Sequence, residues 1–188
     1  MPPEALHVIG FDPGGTSGWA RLTVPRLSLY DDEPGEILEW DYGEITGPEP
    51  QQIIELARLV RGVQSLDYRV GPLIVGEDFD VAETVTTDAE VLYSPVRLIA
   101  MIRMTMALAE IPSYTPLFAD AELIVQSRGM AKSTATDDRL KAWGLYDEHS
   151  GKHCRDATRH AITMIRRFDG SPELLDAAWP YLAREPVH

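Results

Sequence analysis

The sequence has one cysteine, Cys154. A lone thiol rules out an internal disulfide and any zinc site built from several cysteines. It suits a reducing compartment, so a cytoplasmic location is expected. Long apolar runs are missing: none approaches the length of a membrane span, and no membrane partner is expected. Met1 to Glu4 are not followed by the basic and apolar regions of a leader, so no secretory signal is read. Positive charge is scarce, with 17 Lys and Arg against 30 Asp and Glu and a net charge of −13. That excludes a cationic coat able to hold nucleic acid over the whole surface. Repeats and low-complexity tracts are absent too. What remains is a globular composition, 44% hydrophobic and 25% charged in 188 residues, enough for one domain with a single core.

The few cations are not spread evenly. Between Gln126 and Arg167 nine Lys or Arg face five Asp or Glu, a local charge of +4, while the rest of the chain carries −17. An acidic enzyme for a small substrate is the plainer reading of the total. A basic segment on an acidic body is what a protein needs if only one face meets phosphate.

His7 to Phe11 reads as a short buried strand ending at Asp12-Pro13-Gly14-Gly15. Proline biases the residue before it towards extended geometry, which puts Asp12 at a strand tip, and the glycines supply the turn. Gly18 to Val24 reads as the returning strand. Pro25 to Gly35, with Asp31-Asp32-Glu33, reads as a solvated loop, and Ile37 to Ile45 alternates like a third strand with one wet face. Apolar residues from Gln51 to Leu66 fall at helical spacing. Leu73 to Glu77 reads as a central strand covered on both faces. Val81 to Tyr93 is expected to be irregular, Pro95 to Glu110 a strong helix apolar nearly all round, and Thr115 to Val125 a strand with a turn. Ser127 to Thr134 is expected to be a loop. Thr136-Asp137-Asp138 should cap a helix to about Trp143, and His153 to Phe168 should form the last strong helix. Ser171 is the expected cap of a short terminal helix broken by Pro180. This order of elements, βββαβαβαα, is an α/β layer architecture.

Three acidic residues stand at element ends: Asp12 on the first strand, Glu77 on the fourth, Asp156 on the last helix. Carboxylates gathered together repel unless a cation neutralises them, and hard oxygen donors favour magnesium or manganese over zinc. Two such ions about 4 Å apart can activate a water and steady a leaving oxygen in phosphodiester hydrolysis. His153 precedes Asp156 by three residues, which puts both on one helix face. A histidine there could ligate a metal or handle a proton near neutral pH. His160, four residues after Asp156, could stand behind such ligands, although a packed or surface histidine is the commoner reading. Asp78 and Asp80 read as solvated, with either able to replace Glu77 in another strand register. Arg128, Lys132, Arg139, Lys141, Lys152, Arg155 and Arg159 could line a phosphate track; otherwise they form a charged face balanced by Asp137 and Asp138. Trp19 and Trp143 read as core, and the methionine-rich helix as core first and dimer surface second.

These residues resemble a family. "VIGFDPGGTSGWA" is similar to the first two strands of RuvC-like nucleases of the ribonuclease H-like fold, and "LIVGED" to the strand carrying their second carboxylate. "HCRDATRHAI" resembles their terminal helix with its His-x-x-Asp pair, and "QSRGMAKSTATDDRLKAWGL" the basic stretch before it, particularly in bacteriophage members. The resemblance implies a five-stranded mixed sheet flanked by helices over residues 1–170, with 171–188 a tail or short helix. It implies a homodimeric, metal-dependent endonuclease that resolves Holliday junctions by paired nicks, in DNA recombination and repair. Asp12, Glu77, His153 and Asp156 would be the catalytic metal site for two Mg2+ or Mn2+ ions, and Lys132 would lie near the scissile phosphate. Arg128, Lys132, Arg139, Lys141 and Arg155 would bind the DNA. Family members carry an aromatic wedge shortly after the Glu77 position; Phe79 stands one place away from it. The acidic loop near Asp31 departs from the pattern, as does the overall charge.

Two other functions fit parts of the chain. A branched-DNA binder could keep the fold without the reaction. "DPGGTSGW" also looks like the first phosphate loop of actin-like ATPases and sugar kinases, but no second Asp-x-Gly-Gly loop follows for the other half such proteins need.

Overall fold

Period-two alternation decides which side of the sheet each strand residue serves. The structure, a computed structural model, describes residues 5–25, 37–64, 71–78, 89–108, 118, 121–168 and 171–179. In β1 (Ala5–Asp12) Leu6 and Val8 enter one apolar cluster, while Ile9 and Phe11 enter another. β4 (Leu73–Asp78) divides the same way, with Leu73 and Val75 on the first side and Ile74 on the second. A strand covered on both faces reads as a continuous apolar run, as both do here.

β1 pairs antiparallel with β2 (Thr16–Pro25), and β2 antiparallel with β3 (Glu39–Thr46). β4 lies parallel to β1 on its other side and parallel to β5 (Glu122–Ser127). The order β3-β2-β1-β4-β5 makes a five-stranded mixed sheet with β1 at its centre, as the α/β reading expected. The two parallel steps need crossovers, and helices supply them. α1 (Glu49–Gln64) and α2 (Ala89–Leu108) cover one face through Ile53, Leu56, Val60, Leu98 and Ile102. α3 (Arg128–Thr134), α4 (Asp137–Ala142), α5 (Lys152–Phe168) and α6 (Pro172–Ala178) follow β5; Ala135 just after α3 and residues of α4, α5 and α6 enter the cluster on the opposite face.

Three expectations need correction. The segment from Ser127 to Thr134 is helical after its first residue: the Ser127 hydroxyl accepts from the Met130 N–H at 3.3 Å, and Ala131 is buried. The glycine and serines that suggested a loop lie on its exposed side, so a cap and one packed alanine prevail over composition. Residues 89–93, expected to be irregular, form the start of α2, which runs through Pro95; residues 81–88 lie outside the described residues. Ser171 precedes α6 but makes no side-chain cap, and Pro172 starts the helix instead, where its missing N–H costs nothing. Thr136 does cap α4, accepting from the Arg139 N–H at 3.4 Å. Leu175, Ala178 and Trp179 join the α5 core; the Trp179 indole donates to the Gly71 carbonyl at 3.1 Å.

α5 lies almost against the backbone of the sheet. A methyl group on Gly10 of β1 would overlap the Ala157 carbonyl oxygen, and one on Gly18 of β2 would overlap the His153 carbonyl. Two strand glycines thus form the slot into which the helix sits, and Ala157 and Ala161 keep its facing side small. Gly10→Ala is expected to destabilise the chain by about 1–3 kcal/mol through overpacking. Gly129→Ala, where a methyl meets nothing within 4 Å, should be neutral or slightly stabilising. Urea unfolding of the two variants checks the contrast.

Candidate active site

The same alternation runs on to the strand tips. Asp12 continues the row Leu6, Val8, Gly10, and Glu77 continues Leu73, Val75, so both carboxylates stand on the α5 side. β1 and β4 are adjacent and parallel, with Phe11 opposite Gly76, and their tips end together. α5, seated on Gly10 and Gly18, brings His153 and Asp156 over them. All three acids are enclosed: Asp12 is 8% exposed, Glu77 7% and Asp156 3%. Asp78, exposed and one residue out of phase, is not the equivalent of Glu77. Phe79 and Asp80 lie outside the described residues.

Each acid is met by its own bases. Asp12 Oδ2 lies 2.7 Å from His153 Nδ1. Glu77 Oε2 lies 3.3 Å from His160 Nε2, and its Oε1 lies 4.0 Å from Arg128 Nε. Asp156 Oδ1 accepts from Arg159 Nη1, and its Oδ2 lies 3.6 Å from Lys132 Nζ. Arg159 is itself fixed, donating to the Ala135 carbonyl at 2.9 Å and to Asp137. The turn after Asp12 is pinned by buried Gln52, whose amide donates to the carbonyls of Gly14, Gly15 and Gly47 and accepts from Ser17.

Burial pushes the Asp12 carboxyl above the ordinary aspartate range; the His153 hydrogen bond pulls it down, and the charges of Glu77 and Asp156 push it up again. Burial also acts to raise Glu77, but the His160 hydrogen bond, Arg128 and a hydrogen bond from Asp12 outweigh it, and Glu77 sits below its ordinary range. His153 is held above the ordinary histidine range, chiefly by its bond to Asp12.

Among the described residues, no group of three His, Cys, Asp or Glu side chains closes into a ready-made metal cage. The donor chemistry nonetheless fits a hard divalent cation. Three enclosed carboxylates on neighbouring elements feel one another's charge, and basic side chains of the protein offset it. Asp12, Glu77, Asp156 and His153 are the residues that could hold such ions.

The basic residues divide into two groups. Lys132, Lys152, Arg155 and Arg159 line an open depression of about 500 Å³ together with Asp156. Arg128 stands at Glu77. Arg139 turns back onto the Ser133 and Thr134 carbonyls, and Lys141 packs over the Tyr146 ring; neither lines the depression. His160 is no surface residue: it is 1% exposed and reaches the site. Gln126, which holds His160, escaped the sequence reading. Its only signal is register, since it lies opposite Glu77 across β4 and β5.

No protein-family model matches the chain, and no curated protein matches it in sequence. Solved structures do. The chain is similar to Thermus thermophilus RuvC in complex with a Holliday junction substrate, with a TM-score of 0.54, 15% identity and coverage of 90% of this chain and 97% of that one. A second Thermus thermophilus RuvC structure matches with a TM-score of 0.53, 14% identity and coverage of 93% and 99%. The chain therefore has the RuvC-like, ribonuclease H-like fold.

The His153 shift carries a pH signature. A raised histidine contributes stability that is full below its ordinary value of 6.5, provided Asp12 is ionised, and that is lost as pH rises through the raised value. The stability difference between the wild type and His153→Asn should therefore shrink as pH rises above neutrality, read as melting temperature against pH without added metal. A difference that grows with pH would contradict the pairing.

Proposed function

We propose that the chain is a metal-dependent, structure-selective endonuclease that resolves Holliday junctions or other branched DNA by paired phosphodiester hydrolysis. The observation that carries this reading is the convergence of Asp12, Glu77 and Asp156 at one end of the sheet, beside the basic depression, in a fold shared with a protein solved on a Holliday junction. When bound, magnesium or manganese supplies the positive charge that makes water nucleophilic at neutral pH and steadies the departing oxygen.

The chain's own groups do the rest. Arg159, tied to Ala135 and Asp137, keeps Asp156 aimed at the site. Lys132 is freed to meet a non-bridging phosphate oxygen once Asp156 has another cationic partner. Its role is to hold the phosphorus in line with the attacking water and offset charge developing on the phosphate. Lys152, Arg155 and Arg128 offer charge to neighbouring phosphates, so an acidic body engages DNA on one side only. Two copies would place two sites on symmetry-related strands of a four-way junction. Tyr93, Val96 and Met104 form an exposed apolar row on α2 that suits a partner copy.

A second reading is a branched-DNA binder without catalysis, favoured by the occupation of both Asp156 oxygens by Arg159 and Lys132. One experiment separates the two: labelled four-way junction and its linear duplex control, with magnesium or manganese. The nuclease should nick the junction in symmetric pairs. Asp12→Asn should lower the rate at least about a hundredfold, an effect no smaller than that of losing a supporting residue around a metal. Lys132→Ala should cost about 100-fold in cleavage with a smaller change in binding, and affinity should fall linearly in log–log form with salt. Tight junction binding with no metal-dependent cuts supports the binder.

A further inference from the structure

We propose that His160 and Gln126 are a positioning pair that holds one oxygen of Glu77 through an imidazole fixed in its Nε2–H tautomer, leaving the other oxygen for a cation. The inference rests on the reading of Asp12, Glu77 and Asp156 as a cation site.

The argument starts from Gln126. Its Nε2 lies 2.7 Å from the His160 carbonyl oxygen and 3.1 Å from His160 Nδ1. A carbonyl oxygen only accepts, so the amide must present its NH2 group there; turned over, it would set two oxygens against each other. One N–H then goes to the carbonyl and the other to Nδ1. Nδ1 is therefore an acceptor and carries no proton. The ring proton sits on Nε2, which points at Glu77 Oε2 at 3.3 Å. Both ring nitrogens are thereby committed, and the ring cannot flip without losing both bonds.

Burial makes this arrangement stiff. His160 is fully enclosed and Gln126 is buried. Gln126 Oε1 finds no hydrogen-bond partner among the described residues, which is unfavourable in itself. The amide thus sits where His160 needs it rather than where its own bonding is complete. The consequence falls on Glu77. Oε2 is occupied by the His160 N–H, whereas Oε1 has Arg128 no nearer than 4.0 Å and is the oxygen left for a cation. The last helix accordingly supplies one acid, Asp156, and one turn later the brace for an acid on a strand. Groups that orient metal ligands in this way set affinity and geometry without touching the ion.

The test uses the full chain. Long-range proton–nitrogen NMR of the wild type should place the His160 proton on Nε2, with Nδ1 bare; a proton on Nδ1 overturns the proposal. Mn2+ binding is then measured by electron paramagnetic resonance, with urea unfolding to check the fold. His160→Leu should weaken Mn2+ binding by about 10- to 100-fold, and His160→Gln, which keeps an N–H near the Nε2 position, should stay within about threefold of wild type. Equal binding by wild type and His160→Leu, or a Gln variant no better than Leu, overturns the pair's role while leaving the cation site intact. If His160→Leu does not fold, the tautomer and the Gln variant decide. Wild-type chain that binds no Mn2+, or binding unaffected by Asp12→Asn, removes the cation site itself and the proposal with it.

Discussion

The near contact between α5 and the backbone of β1 and β2 is the constraint on which the rest of the molecule depends. Gly10 and Gly18 have no side chain to hold the helix off, and Ala157 and Ala161 present it with a shallow face. Close-packed interiors transmit such geometry with little slack. His153 reaches Asp12, and His160 reaches Glu77, because the helix axis sits low over the strand tips. The apolar part of α5, Ile162, Met164, Ile165 and Phe168, anchors the far end, so the polar first turns are held rigidly where the sheet ends. A site built on two strands and a helix in this way is held more firmly than one built on loops.

That geometry forces an electrostatic problem. Three enclosed acids on three elements repel, and leaving a buried charge without a partner is strongly unfavourable. The chain answers with a base for each: a histidine at Asp12, a histidine and an arginine at Glu77, an arginine and a lysine at Asp156. The two kinds of partner differ. Arg159 and His160 are themselves tied down by further hydrogen bonds, whereas Lys132 and Arg128 are long, half exposed and loosely placed. The first pair keeps the acids in position, and the second pair is held only by long contacts of 3.6–4.0 Å. In this account the basic segment of an otherwise acidic chain is concentrated where the acids are.

Much of this could be read from the residues. Asp12 before a proline and Glu77 at the end of an apolar run mark strand tips, and alternation alone assigns both to one face of the sheet. Helical spacing joins His153, Asp156 and His160. What could not be read depended on contacts between distant elements. Whether β4 lies beside β1 is a matter of crossover topology, and Gln126 becomes visible only through its register opposite Glu77. Arg159 looks like one more surface cation until Asp137 and the Ala135 carbonyl fix it inward. α3 was hidden by its glycine and serines, because a single capping hydroxyl and one buried alanine are a weak pattern. Arg139 and Lys141 have the composition of a phosphate track, and their local carbonyl and ring contacts outside the depression were not legible in the sequence.

The central claim is that Asp12, Glu77 and Asp156 jointly receive divalent cations. Anomalous diffraction from crystals of the chain soaked in manganese tests it most directly, since it locates the ions without reference to activity. The account predicts density at the ends of β1 and β4, with oxygens of all three acids around it and Lys132 withdrawn from Asp156. Manganese bound elsewhere, or absent while the three acids keep their protein partners, would contradict it.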